Sequence, residues 1–193
     1  MTLFQIIMLL VTAFFAYQVY IYIQSIDTEA EPAFMKEPEA IESEPSAEEL
    51  IQEADKAYLD DDFEKAQSLL EHVVRTHPTL AEGMNKLAFV LAKRGDRGSA
   101  QRYYEASLDV EPNDDMTHNA LATLLSSMDK VQEAEEHYKK ALEIDDNYEV
   151  TWFNYANLML KLERTAEARV MYQKALEIDP DFEQAKEELE KLK

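Results

Sequence analysis

The sequence predicts an all-α protein built as a stacked array of helix pairs. Three observations carry this. First, one skeleton returns every 34 residues. It reads Trp152, Tyr155, Ala156, Met159, then Ala168, Tyr172, Ala175 and Pro180. One period earlier it is His118, Leu121, Ala122, Leu125, Ala134, Tyr138, Ala141, with Asp146 in the proline's place. Before that come Met84, Leu87, Ala88, Leu91, Ala100, Tyr104, Ser107 and Pro112. The earliest copy is Leu50, Ala54, Ala57, Ala66, Leu70, Val73 and Pro78. Second, apolar positions within each copy recur at helical spacing, with no alternating run that would make a strand. Third, a fixed period of this length marks units that cannot bury their apolar faces alone and must stack.

The first element is Leu3 to Ile23, which carries no charge. As a helix its 21 residues would span about 31 Å, close to the ~30 Å hydrocarbon core of a bilayer. Tyr17, Tyr20 and Tyr22 suit a membrane interface. A cleaved signal peptide fits less well, because no basic n-region precedes the run and no small-x-small site follows. The expectation is a single transmembrane helix at 1–24, in a bacterial inner membrane. The short, easily translocated N-terminus favours the bulk of the chain on the outer, periplasmic side. Residues 25–46 carry seven acids against Lys36 alone, with Pro32, Pro38 and Pro45. That composition predicts a disordered, self-repelling linker.

The array then begins. Each unit holds two helices joined by a short turn, at Asp60 to Asp62, Arg94 to Asp96, Met128 to Lys130, and Leu162 to Thr165. The units are expected at 47–80, 81–114, 115–148 and 149–182. Alanines 88, 122 and 156 on the first helices, and 66, 100, 134 and 168 on the second, let backbones approach closely. Asp146 in place of a proline predicts a less sharp end to its helix. Residues 183–193 keep Ala185, Leu189 and Leu192 on one face of a charged helix, which reads as a solubilising cap.

Net charge is −21, which repels nucleic-acid phosphates and excludes nucleic acid as the expected partner. With no cysteine and three glycines, thiolate sites and phosphate-cradling loops are excluded. His72, His77, His118 and His137 show no metal-ligand spacing, and His118 stands where Met84 and Trp152 stand, as a packing residue. Asp60, Asp62, Glu64 and Glu71 imitate a calcium loop, but Lys65 replaces its glycine and the segment must be helical to bury Ala66 and Leu70. No enzyme, cofactor or metal is expected.

The pattern Trp-x2-Tyr-Ala-x2-Met, then Ala-x3-Tyr, Ala and Pro, with its 34-residue period over about 47–180, resembles the tetratricopeptide repeat. The resemblance implies a right-handed superhelix of about four helix pairs, with first helices lining a concave groove that binds peptides. By it the groove carries Asn85, Lys86, Phe89 and Lys93, then Asn119, Thr123 and Ser127, then Phe153, Asn154, Asn157 and Lys161. None of these eleven is acidic, although 47–193 holds 33 acids against 18 bases. Amides can pair with peptide backbone, lysines with a carboxylate, and Phe89 and Phe153 can offer apolar pockets. The expected function is a membrane-anchored scaffold holding a partner peptide, with an acidic end as one option, and assisting assembly of a membrane or secreted complex. The alternative is a structural component that self-associates or packs on a membrane complex through its outer face.

Overall fold

The computed structural model describes residues 14–24 and 45–192, in two units that divide between Glu44 and Pro45. The first unit contributes one described helix, α1 (14–24), whose side chains are all exposed. Among the described residues no helix is long and apolar enough to cross a membrane. The expected single-pass anchor at residues 3–23, and with it the inner-membrane location and periplasmic placement, is therefore corrected. Residues 3–13 of that expectation, and residues 25–44 of the expected linker, lie outside the described residues.

The second unit is all helical. In order it holds α2 (Ala47–Leu59), α3 (Phe63–Thr76), α4 (Ala81–Lys93), α5 (Arg97–Val110), α6 (Asp115–Ser127), α7 (Val131–Ile144), α8 (Glu149–Lys161), α9 (Thr165–Ile178) and α10 (Glu183–Lys191). Helices joined by three-residue turns pack tightly as pairs (α2 with α3, α4 with α5, α6 with α7, α8 with α9). Each pair leans on the next, and α10 leans on α9.

Local chemistry sets the helix ends. Ser46 opens α2 with a capping box, accepting from the Glu49 amide at 3.2 Å while the Glu49 carboxylate accepts from the Ser46 amide at 2.8 Å. Asp62 and Asp96 cap α3 and α5 through the Lys65 and Ser99 amides at 3.0 and 3.1 Å. Each satisfies one of the N–H groups that a helix start leaves without an intrahelical partner. The turns inside the pairs obey one rule. Asp61, Gly95, Asp129 and Glu163 all have left-handed φ, at 59°, 90°, 62° and 60°. They sit one period apart. The following residue's amide then reaches back to Ala57, Leu91, Leu125 and Met159 carbonyls at 2.8, 2.9, 3.0 and 2.8 Å. This is the six-to-one bond of a Schellman stop.

Helix α7, which lacks the closing proline, is 14 residues long, as are α3, α5 and α9. The expectation of a blurred end fails for a physical reason. The Asp145 carboxylate accepts from the Asn147 amide at 2.8 Å, and the Trp152 indole N–H donates to the Asp146 carbonyl at 2.8 Å. Those two bonds turn the chain as a proline would.

The core runs the length of the array. Ala66, Ala88, Ala100, Ala122, Ala134, Ala156 and Ala168 are all completely buried, and Tyr104, Tyr138 and Tyr172 are the largest fully buried side chains. Small residues set the helix spacing and the tyrosines fill the space one turn away.

The turn rule predicts opposite outcomes at two of its positions. A Cβ at Gly95 meets nothing within 4 Å, so Gly95→Ala costs conformational strain only, about 1 kcal/mol. Glu163→Gly relieves the same strain and raises stability by up to about 1 kcal/mol. Urea unfolding midpoints at unchanged m-value check both.

Candidate functional site

The eleven candidate residues lie on the first helices α4, α6 and α8, and their contacts fall into three groups. The first is on α4. Lys86 Nζ lies 2.9 and 2.8 Å from the two Asp55 carboxylate oxygens on α2, and 3.8 Å from Glu82. The Phe89 ring packs 5.2 Å from Tyr58, with Lys93 Nζ 5.5 Å above it. Asn85, Lys86 and Phe89 line a cavity of about 240 Å³ with Asp55, Tyr58 and Val90.

The second group is a line of amide and hydroxyl bonds across pairs. Asn85 Nδ2 on α4 donates to Thr117 Oγ1 on α6, and Thr117 donates to the Asp114 carboxylate. Asn154 Nδ2 on α8 donates to Asn119 Oδ1 on α6 at 3.2 Å. From behind, tyrosines of the second helices reach the same face. Tyr138 OH lies 3.0 Å from the Thr123 hydroxyl, and Tyr172 OH donates to Asn157 Oδ1 at 2.5 Å. Burial pushes both phenols up to about 12, so they remain neutral hydrogen-bonding groups.

The third group is structural. The Phe153 ring packs at a tilt against Tyr172 and Phe182, with ring centroids 5.6 and 5.1 Å away. It ties α8 to α9 and to the residue that opens α10, rather than joining Phe89. Lys161 Nζ binds the Asp129 carboxylate at 2.5 Å and the Ser126 carbonyl at 2.6 Å, and the Ser127 hydroxyl donates to the Leu124 carbonyl at 2.6 Å. Two of the three candidate lysines thus already meet carboxylates of this chain. The face is not free of acid either, because Asp55 enters it. Asp55 stands one period before Phe89, so the repeat itself could have found it. Tyr138 and Tyr172 read as core from sequence, and nothing there shows that their hydroxyls emerge on this face.

The line has one gap. Thr151 is the period-mate of Thr117, yet its buried hydroxyl has no partner. Where Asp114 should recur stands Tyr148, and Asn119, the period-mate of Asn85, turns its side-chain oxygen to Asn154 instead of donating to Thr151. Replacing an orphaned buried hydroxyl by methyl restores lost solvation at no hydrogen-bond cost. Thr151→Val should leave stability unchanged or raise it by about 1 kcal/mol, while Thr117→Val lowers it by about 1–2 kcal/mol. Paired thermal melts distinguish the two.

Two histidines that sequence spacing left apart meet at the α6–α7 pair. His118 Nδ1 and His137 Nδ1 are 2.9 Å apart, and His118 Nε2 donates to the Pro112 carbonyl at 3.1 Å. That second bond places the neutral His118 proton on Nε2, so His137 Nδ1–H is the donor between the rings. Burial lowers both basicities, and the neighbouring ring and Lys140 lower His137 further, to about 4. A histidine made less basic by folding contributes stability that is present above about pH 6.5 and lost as pH falls toward 4. Melting temperature should therefore fall between pH 7 and pH 5, and His137→Gln, which keeps a donor but does not titrate, should lessen that fall. Among the described residues no group of three His, Cys, Asp or Glu could hold a metal ion.

The family model for the tetratricopeptide repeat matches residues 79–147 and 114–181. No curated protein matches the chain. Among solved structures, Pseudomonas aeruginosa pilF is similar at 18% identity and TM-score 0.71, over 76% of this chain and 67% of that one. YrrB, described as a TPR protein with an unusual peptide-binding site, is similar at 19% identity and TM-score 0.63, over 72% of each chain. The first TPR of Spaghetti (RPAP3), bound to the HSP90 peptide SRMEEVD, is similar at 21% identity and TM-score 0.56, over 58% of this chain and 89% of that one.

Proposed function

Because this chain belongs to the tetratricopeptide repeat family, we propose that it is a protein–protein interaction scaffold that holds an extended partner peptide on the face of α4, α6 and α8. The observation that carries this is the row of amides along that face. Asn119 and Asn157 each give up their side-chain oxygen to a neighbour, at Asn154 and Tyr172. Their N–H groups then remain as donors for a peptide carbonyl. Beside the row, the Phe89 cavity offers a half-exposed aromatic surface for one anchoring side chain. Similar folds hold peptides in YrrB and in the RPAP3 domain, which supports the mode of binding and not the identity of the partner.

The eleven residues do not contribute alike. Asn119, Asn154 and Asn157 suit backbone recognition, Phe89 and Lys93 suit a side-chain contact, and Phe153, Ser127 and Lys161 hold the scaffold. A photo-crosslinking side chain placed at Phe89 or Asn157 in the full chain should trap partners in cells. The same group at Val170, exposed on α9, should not. Equal trapping at Val170 would show that the outer face carries the function. Concentration-dependent mass of the purified chain would point to self-association instead.

A further inference from the structure

The partner's charge can be read from the first end of the same face. We propose that the peptide bound there is basic, with an arginine or lysine seated between α2 and the α3–α4 junction and an apolar side chain seated against Phe89. This rests on the peptide-holding face proposed above.

Three observations converge. A cavity of about 750 Å³ opens beside α2, with Ile51, Pro78 and Leu80 among its apolar walls and Glu48, Asp55 and Glu82 as its carboxylates. Among the described residues no lysine or arginine lines it. Such a site matches a long cationic side chain, whose methylene stem covers apolar surface while its head meets carboxylates. Second, Asp55 is also a wall of the 240 Å³ cavity of Tyr58 and Phe89. The two cavities are therefore neighbours on one face. Side chains two residues apart in an extended peptide point to the same side, about 7 Å apart, so the fitting pattern is basic-x-apolar. Third, the lysine of this end, Lys86, is held by Asp55 and Glu82. Against Glu48, Asp55 and Glu82 it leaves the two linings net negative. An acidic peptide end would meet carboxylates here, and the chain's net −21 would repel its approach.

The test uses the full chain and a fluorescein-labelled probe peptide, GSGRSLSGS-amide, read by anisotropy. Partner probes carry Glu or Ala in place of the arginine, or Ser in place of the leucine. The basic probe should bind most tightly, weaken as salt rises, and weaken about fivefold in the Glu48→Gln/Glu82→Gln chain. Phe89→Ala should weaken it too, and only when the probe carries leucine. Preference for the Glu probe, or unchanged affinity of the basic probe in the double variant, overturns the inference. If the Glu probe binds in a Phe89-dependent way, the face still holds peptide and only the charge assignment falls. If no probe binding depends on Phe89, both the charge assignment and the face itself fall.

Discussion

Close approach of helix backbones at alanine positions is the constraint on which the rest of the structure depends. At Ala88, Ala122 and Ala156, and at Ala66, Ala100, Ala134 and Ala168, no side-chain atom beyond Cβ separates neighbouring helices, and all are fully buried. That spacing is what brings Tyr138 and Tyr172 far enough forward for their hydroxyls to reach Thr123 and Asn157. It also brings α2 near enough to α4 for Lys86 to meet Asp55. A larger residue at any of these alanines would push a helix outward, at a cost of about 1–3 kcal/mol, and the face would lose its cross-pair bonds before the helices melted.

The helix-pair plan was legible in the sequence because stacking acts on every repeat alike. Burial of Ala122 or Tyr138 is dictated by the unit, so periodicity reports it. The face is dictated by pairs of residues from different units, and one sequence does not show which pairs form. Asn119 could be placed on the face, but not its choice of Asn154 over Thr151. Lys86 could be placed there, but not its capture by Asp55. His118 and His137 stand 19 residues apart, a separation with no helical meaning; only the packing of α6 on α7 joins them. The membrane-spanning expectation erred differently. It rested on a hydropathy count over residues 3–23, whereas among the described residues no helix is long and apolar enough to cross a membrane.

Departures from the period carry most of the information about function. Where copies agree, the residue serves the stack. Where they differ on the exposed face, as at Asp55, Phe89, Thr123 and Asn157, each unit offers a different group to a ligand at one shared height: a carboxylate, an aromatic ring, a hydroxyl and an amide. An extended peptide crossing the units would meet these in turn. Tyr148 in place of the aspartate is the same kind of departure inside the array, and its consequence is the unpartnered Thr151 hydroxyl.

The left-handed turn residues at 61, 95, 129 and 163 have a mechanical consequence. Each Schellman stop locks the two helices of a pair as one rigid plate, closed by backbone bonds at both sides of the turn. The segments between plates, ending at Leu80, Asp114, Tyr148 and Phe182, have no Schellman stop, and successive pairs pack less closely on each other than the two helices within a pair. The array is thus a stack of stiff plates on softer hinges. Its low-energy deformations are changes of pitch, spread over those hinges, and a ligand spanning several plates would act as a clamp that selects one pitch.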